Sequence, residues 1–128
     1  MRLLLDTSTF LWIVFDDARL SKAVREAFAD PGNDVFLSAV SAWEIAVKHQ
    51  IGKLPLPLPP DRFVPEVREA HGILPLPLDE AAVLGVSRLP DLHRDPFDRM
   101  LVCQAIAHGL AIATDDAAIR AYPARCVW

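Results

Sequence analysis

Short runs of apolar residues alternate along the chain with longer segments in which apolar side chains recur every third or fourth position. The runs fall at Leu3–Leu5, Asp34–Ser38 and Leu110–Thr114, and each is bounded by polar or turn-forming residues. Short, continuously apolar runs of this kind are typical of strands that are buried in a parallel sheet. The segment Ile73–Leu78 is interrupted by prolines and predicts a short or edge strand.

The longer segments predict helices that alternate with these strands. They are Thr9–Phe15, Lys22–Ala29, Ser41–Ile51, Arg62–Ala70, Glu80–Val86, Pro96–His108 and Ala117–Tyr122. Alternating prolines in Leu54–Pro60 predict an extended connector, because proline lacks the amide donor that a helix requires. The alternation of strands and helices predicts an α/β fold with a central parallel β-sheet flanked by helices on both faces. A chain of 128 residues has the length of a single domain, here residues 1–128.

The composition of the chain predicts self-association and a cellular location. Hydrophobic residues make up 52% of the chain and the mean hydropathy is +0.24, an apolar excess from which we expect an oligomer and which fits a homodimer. Asp6 and the Asp16-Asp17 pair interrupt the first apolar segments, so neither a secretory leader nor a membrane span is predicted. We therefore expect a cytoplasmic protein. Cys103 and Cys126 lack the spacing of a zinc site or a disulfide framework.

The charge balance argues against a conventional basic nucleic-acid-binding protein. The chain has 17 acidic and 13 basic residues, which gives a net charge of −4. If four of the 17 acids surrounded metal ions, the remaining 13 would balance the 13 bases. An acidic protein can still act on a polyanion when a bound divalent cation supplies the local positive charge.

Acidic residues mark the ends of predicted strands and the starts of predicted helices, and each has a structural explanation of its own. Asp6 can cap the first helix, and Asp115 or Asp116 can cap the last one. Glu44 fits a capping box that begins at Ser41. Asp98 lies in the first turn of its helix, where the helix dipole favours a carboxylate.

Taken together, the four acids indicate more than helix capping. Asp6, Glu44 and Asp116 closely follow predicted strands, so a parallel sheet would bring them to one edge, and Asp98 would join them by folding back. Clustered carboxylates repel one another unless they are neutralised, and their oxygens suit Mg²⁺ or Mn²⁺. Such a site predicts phosphodiester hydrolysis, because the cation activates water and stabilises phosphoryl charge. No Gly-x-Ser-x-Gly motif supports a serine hydrolase.

Motifs in four stretches carry a family resemblance. The stretches are Leu3–Thr7, Leu37–Lys48, His93–Leu101 and Ile112–Asp116. In this order, over nearly the whole chain, the sequence resembles the PIN-domain ribonucleases of the VapC toxin type from type II toxin–antitoxin systems. The resemblance implies a PIN-like fold and an endoribonuclease that depends on Mg²⁺ or Mn²⁺. It also implies a cognate VapB-like antitoxin whose C-terminal segment lies in a groove of the toxin.

The resemblance implies a set of catalytic acids that hold the metal. These are Asp6, Glu44, Asp98 and Asp116, with Asp6 and Asp98 as the expected direct ligands. Thr114 and Thr7 are expected to support them. The family motif favours Asp98 over Asp95, which is left as the N-cap before Pro96. It likewise favours Asp116 over Asp115, which stands where the family usually has a basic residue.

Several nitrogen-bearing side chains lie near these acids in the sequence and are candidates for contact with the RNA backbone. They are Lys48, His93, Arg94 and Arg99. The alternative for each is a solvated side chain, or one that pairs with a neighbouring carboxylate.

Two other functions remain open at this point. One is a non-catalytic RNA-binding or regulatory PIN domain, against which the presence of all four acids argues. The other is a receiver-like phosphoacceptor domain, which also has an α/β fold and an acidic pocket. A receiver would require paired acids after the first strand and a lysine after the last, whereas Asp6 stands alone and Asp115-Asp116 follow the last strand.

Overall fold

The computed structural model describes every residue from Met1 to Trp128 and has one five-stranded sheet. Its strands are β1 (Arg2–Leu5), β2 (Asp34–Ser38), β3 (Leu74–Leu76), β4 (Ala111–Ala113) and β5 (Cys126–Val127). Their spatial order is β3-β2-β1-β4-β5, and every neighbouring pair is parallel. The predicted parallel sheet is confirmed, and all five carboxyl ends lie at one edge. This order differs from the 2-1-3-4-5 order of receiver domains.

Seven α-helices and one 3-10 helix connect the strands. The α-helices are α1 (Thr7–Val14), α2 (Lys22–Ala29), α3 (Ala39–Gln50), α4 (Pro60–Ala70), α5 (Glu80–Leu84), α6 (Pro96–His108) and α7 (Ala117–Arg120). The 3-10 helix spans Gly85–Arg88, where the sequence predicts a continuation of α5. No helix has both the length and the apolar character needed to cross a membrane.

The start of α3 corrects a prediction. The sequence predicts a capping box at Ser41, but the N-cap is Ser38, three residues earlier, and the helix begins at Ala39. The Ser38 hydroxyl accepts from the Val40 amide at 2.9 Å and also bonds the Gln104 side chain from α6. Ser41 is therefore inside the helix and fully buried. Glu44 therefore takes no part in capping the helix, and its side chain can contribute to a site at the edge of the sheet.

Alternate residues of β1 serve the two faces of the sheet. Leu3 and Leu5 pack into one apolar cluster with α1, α2 and α4, whereas Leu4 packs into a second cluster with α6 and α7. The helices therefore cover both faces, as predicted. Because β1 is the central strand and its apolar side chains are at most 1% exposed, the residue that follows it is held in a fixed position.

Candidate active site

Asp6 follows β1 directly and meets both the next helix and the neighbouring strand. Its Oδ1 accepts from the Thr9 amide at 2.7 Å, so it does cap α1 as the sequence allows. Its Oδ2 accepts from the Thr114 hydroxyl at the end of β4. The side chain is 5% exposed. Capping and a place in the acidic site are thus both properties of the same carboxylate.

The end of β4 contributes the second part of the site through Thr114 and Asp116. The Thr114 hydroxyl donates to Asp6 and accepts from the Asp116 amide at 3.1 Å. Asp116 caps α7 by accepting from the Ala118 amide at 2.9 Å. One buried hydroxyl therefore sets the positions of two acidic residues on adjacent segments.

Helix α3 contributes Glu44, whose carboxylate is bonded on two sides. Its Oε1 accepts from the Thr7 hydroxyl at 2.6 Å, and its Oε2 is bonded by the Lys48 ammonium one turn along the helix. Thr7 also lies within hydrogen-bonding distance, 3.0 Å, of the Ser41 hydroxyl. Only 6% of the Glu44 side chain is exposed, against 46% for Lys48. The lysine ammonium therefore reaches from solvent onto a buried acid.

Helix α6 brings Asp98 to the same edge from the other side of the sheet. The helix begins at Pro96 because Asp95 caps it, accepting from the Phe97 and Asp98 amides at 2.9 and 3.1 Å. The predicted N-cap at Asp95 is confirmed. Asp98 lies one turn inside the helix, where its Oδ2 is 3.0 Å from Nε2 of His93.

These elements enclose a cleft of about 510 Å³ at the carboxyl edge of the sheet. Its lining consists of Asp6, Thr7, Ser8, Glu44, Lys48, Asp95, Asp98, Asp115, Asp116 and Ala117. The structure thus brings all four predicted acids into one cleft and adds Asp95 and Asp115 to them. Six carboxylates face one lysine, so the cleft has a large excess of negative charge.

Burial makes this charge costly at two positions. Loss of water raises the pKa of Asp6, although hydrogen bonds from Thr114 and Thr9 oppose the rise. Burial likewise raises the pKa of Asp98 to about 6, against a lowering by the His93 hydrogen bond and a further increase from neighbouring acids. For Lys48, burial disfavours the charge, but the hydrogen bond and charge of Glu44 outweigh burial and raise the pKa. A cation in the cleft would relieve the repulsion.

The four residues predicted to contact the RNA backbone lie in different surroundings in the structure. Lys48 lines the cleft, whereas Arg94 is exposed, does not line the cleft and directly precedes Asp95, which does. His93 faces Asp98 rather than solvent. The Arg99 side chain is only 16% exposed and donates to the carbonyl of Pro90 at 3.0 Å and to the Tyr122 hydroxyl at 3.0 Å. Arg99 therefore holds the loop before α6 and is turned away from an approaching polyanion.

Three residues in or beside the cleft are not among the site residues predicted from the sequence. Ser8 lines it, Ser41 contacts Thr7 beneath Glu44, and Tyr122 bonds Arg99 under the loop that carries His93. Ser8 follows Asp6 and Thr7 closely enough to have been considered. The other two act across elements far apart in sequence, so the sequence carried no signal for them.

The residues of the cleft fit a divalent metal ion. The donors are mainly carboxylate oxygens, which Mg²⁺ and Mn²⁺ prefer. One ligand atom each from His93, Asp98 and Asp116 lies within 4.8 Å of the other two. The charge of the cleft, its donor atoms and their spacing are therefore all suited to a divalent metal ion.

Comparison with known proteins assigns the fold to a family. Residues 3–124 match the family model of the PIN domain. Ribonuclease VapC16 of Mycobacterium tuberculosis is 44% identical over 57 residues, which span 44% of this chain and 40% of that protein. The aligned part is thus less than half of the relative's length.

Solved structures agree on the fold. The VapBC2 structure from Rickettsia felis, bound to a promoter DNA fragment, has a chain with a TM-score of 0.70 at 13% identity, covering 100% of this chain and 99% of its own. The DNA-bound VapBC structure from Salmonella typhimurium contains a chain that matches with a TM-score of 0.68 at 18% identity. The match covers 99% of this chain and 97% of that chain. The family-model match removes the receiver-like alternative. Fold and match together show that this chain belongs to the PIN-domain family.

Proposed function

We propose that this protein is a metal-dependent endoribonuclease and the toxin of a type II toxin–antitoxin module. The observation that carries the proposal is the convergence of Asp6, Glu44, Asp98 and Asp116 on one cleft at the sheet edge. Similarity to ribonuclease VapC16 supports RNA as the substrate. Residues 1–128 form one PIN-like domain in this proposal, and a ribonuclease of this kind acts in the cytoplasm.

Asp6, Glu44, Asp98 and Asp116 are the residues that would hold Mg²⁺ or Mn²⁺. A divalent cation bound there would make water nucleophilic near neutral pH and offset the charge of the phosphodiester. The protein's own part is to fix the acids before the substrate arrives. Thr114 and the Thr9 amide hold Asp6 from opposite sides. The Thr7 hydroxyl and the Lys48 ammonium do the same for Glu44.

Lys48 and Arg94 are the cations best placed for the RNA backbone. Lys48 combines 46% exposure with a position on the wall of the cleft, and its ammonium bonds the Glu44 carboxylate. Arg94 is exposed on the loop just before the Asp95 cap. Both positive charges would attract a phosphate toward a cleft that is otherwise acidic.

The test is cleavage of a mixed RNA pool by the purified protein with Mg²⁺, Mn²⁺ or EDTA. Asp6→Asn is the decisive variant, because asparagine keeps the N-cap of α1 while removing the charge. Asp79→Asn is the matched control, since Asp79 caps α5 away from the cleft.

We expect cleavage that requires metal, is lost in Asp6→Asn and persists in Asp79→Asn. Sequencing the new RNA ends would then define the target. Failure of the well-folded, antitoxin-free protein to cut RNA with any metal would favour a non-catalytic RNA-binding role.

We further propose that a VapB-like antitoxin neutralises this protein. The solved structures with the same fold include VapBC complexes, which makes an antitoxin the first partner to test. Co-expression with the product of an adjacent small gene should give a stable complex in which RNA cleavage is suppressed. Undiminished cleavage in such a complex would contradict this partner.

We also propose a homodimer, supported by apolar side chains that the monomer leaves in water. Val83 and Leu84 of α5, Val86 of the 3-10 helix and Ile106 of α6 are each at least 37% exposed. Covering such a patch with a second copy would remove apolar surface from water. Light scattering should show a dimer at micromolar concentration, and Leu84→Glu should shift it to monomer. A monomeric wild-type protein would refute the proposal.

A further inference from the structure

We propose that His93 is a ligand of the divalent cation, so that the centre contains an imidazole nitrogen and favours Mn²⁺ over Mg²⁺. The proposal rests on the proposed function, because it concerns the metal centre of that same cleft. It changes the role of His93 from a contact with RNA to a member of the metal site.

The position of the ring carries the argument. Nε2 of His93 is 3.0 Å from Oδ2 of Asp98, and the ligand atoms of His93, Asp98 and Asp116 all lie within 4.8 Å of one another. Ligand atoms of one octahedral ion are about 3 to 4 Å apart. Only small side-chain movements are therefore needed for all three to reach the same ion.

The backbone of His93 is tied to the body of the domain. Its carbonyl lies 3.4 Å from Nη1 of Arg99 and 3.4 Å from the Tyr122 hydroxyl, both of which are donors. Arg99 also donates to Pro90, so the loop is held at two points. Tyr122 is only 3% exposed. The ring is thus presented to the acids by a supported loop.

The surroundings distinguish this histidine from the others. His49 and His71 each direct Nδ1 to a backbone carbonyl within 2.9 Å, away from any acid cluster. His108 does bond a carboxylate, Asp79 at 2.6 Å, but no second acid joins that pair. Only His93 shares a possible ligand group with two carboxylates.

The donor set has a consequence for metal choice. Mg²⁺ takes oxygen ligands almost exclusively, whereas imidazole nitrogen binds first-row transition metals well. Replacing one oxygen by Nε2 of His93 should therefore strengthen Mn²⁺ binding relative to Mg²⁺. A centre built from the acids alone would lack this preference.

The test measures metal binding directly, without RNA. Isothermal titration with Mn²⁺ and Mg²⁺ compares the wild type with His93→Gln, which keeps a hydrogen-bond donor for Asp98 but removes the imidazole. Pulsed electron paramagnetic resonance of the Mn²⁺ form reports nitrogen bound to the ion. His108→Gln is the matched control, because it breaks a histidine–aspartate pair of the same kind at the other end of α6. Circular dichroism confirms that the variants are folded.

We expect His93→Gln to weaken Mn²⁺ binding by about tenfold or more, to leave Mg²⁺ binding within about threefold, and to remove the nitrogen signal. His108→Gln should change none of these. Absence of a nitrogen signal from the wild type would overturn the inference, and unchanged Mn²⁺ affinity in His93→Gln would do the same. Asp98→Asn separates the two proposals: if it abolishes Mn²⁺ binding while His93→Gln does not, the metal centre stands and the histidine ligand fails. A wild type that binds neither metal would refute both.

Discussion

The two ends of α6 each carry a histidine–aspartate pair, and the pairs behave in opposite ways. At the N-terminal end, Asp98 faces His93 among other acids, and burial raises its pKa to about 6. At the C-terminal end, Asp79 faces His108, and the hydrogen bond from that ring lowers the pKa of Asp79 below its usual range. The ionised form of the aspartate is thus disfavoured at the N-terminal end and favoured at the C-terminal end, although both aspartates face a histidine.

The difference comes from what surrounds each pair. Asp79 is an N-cap with a backbone donor, so its charge is well satisfied. Asp98 is enclosed with Glu44, Asp95 and Asp116, so its charge opposes others that are already present. The Asp79–His108 pair therefore stabilises the fold, whereas the excess negative charge around the Asp98–His93 pair can attract a cation.

The largest expected effect is on catalysis at the N-terminal end. Asp98→Asn should lower RNA cleavage by at least about a thousandfold, equivalent to about 4 kcal/mol of transition-state stabilisation. Asp79→Asn should leave the rate unchanged, although it also alters an aspartate that faces a histidine. Single-turnover cleavage with saturating Mn²⁺ measures both. Full activity in Asp98→Asn would remove that residue from the catalytic set.

The next effect tests the hydrogen bonds that hold the acids. Thr114→Val keeps the shape of the side chain but removes the hydroxyl shared by Asp6 and Asp116, and cleavage should fall by about 10 to 100-fold. Thr9→Val is the comparison and should lose less activity, since that hydroxyl donates to the Ala113 carbonyl at 2.9 Å and supports Asp6 less than Thr114 does. Equal losses in both variants would show that packing, rather than positioning of the acids, is responsible.

A smaller effect concerns stability without metal. The pKa of Asp98 is higher in the fold, about 6, than its ordinary value of 3.8, so the fold binds this proton more tightly than the unfolded chain does. Stability should therefore fall as pH rises from about 4 to above 6, by about 1 to 2 kcal/mol for a partly hydrated group.

Urea unfolding in EDTA at pH 4.5 and 7.5 measures this loss. Asp98→Asn isolates the contribution of Asp98 from that of Asp6, whose raised pKa acts in the same direction. The variant should lose less stability between the two pH values than the wild type. An identical loss in both proteins would contradict the assignment.

The smallest expected effect is on stability at the C-terminal end of α6, where the dependence on pH should have the opposite sign to that of Asp98. Because the pKa of Asp79 is lowered in the fold, its contribution to stability is present above its ordinary value of 3.8 and is lost as pH falls below it. Asp79→Ala should lower the melting temperature slightly at pH 7, and the deficit should shrink as pH falls below 3.8. Cleavage should be unaffected. A deficit of the same size at every pH would assign the effect to packing and capping instead of charge.

Local signals explain what could be predicted from the sequence. The buried runs of β1, β2 and β4 and the Asp95-Pro96 start of α6 depend on nearby residues, and all are confirmed. The convergence of the acids follows from the parallel sheet, because every strand delivers its next residue to the same edge. Their catalytic role stays a prediction until the variants are measured.

Tertiary contacts decided the elements that the sequence did not predict correctly. Ser38 and Ser41 are equally good caps on local grounds, but the bond from Ser38 to Gln104 of α6 fixes the helix start. β5 is two residues long and exists through its pairing with β4. The bond between His93 and Asp98 depends on a loop held by Arg99 and Tyr122, which no short sequence pattern encodes.

The hydrogen bond between Thr114 and Asp6 joins residues that are 108 positions apart in the chain. During translation, Asp6 leaves the ribosome long before Thr114 and Asp116 do. A nascent chain that has not reached β4 lacks one wall of the cleft and the central strand's partner on that side. The acidic cleft therefore cannot assemble on a ribosome before Asp116 has been synthesised, so any activity that needs the complete cleft would begin only after that point.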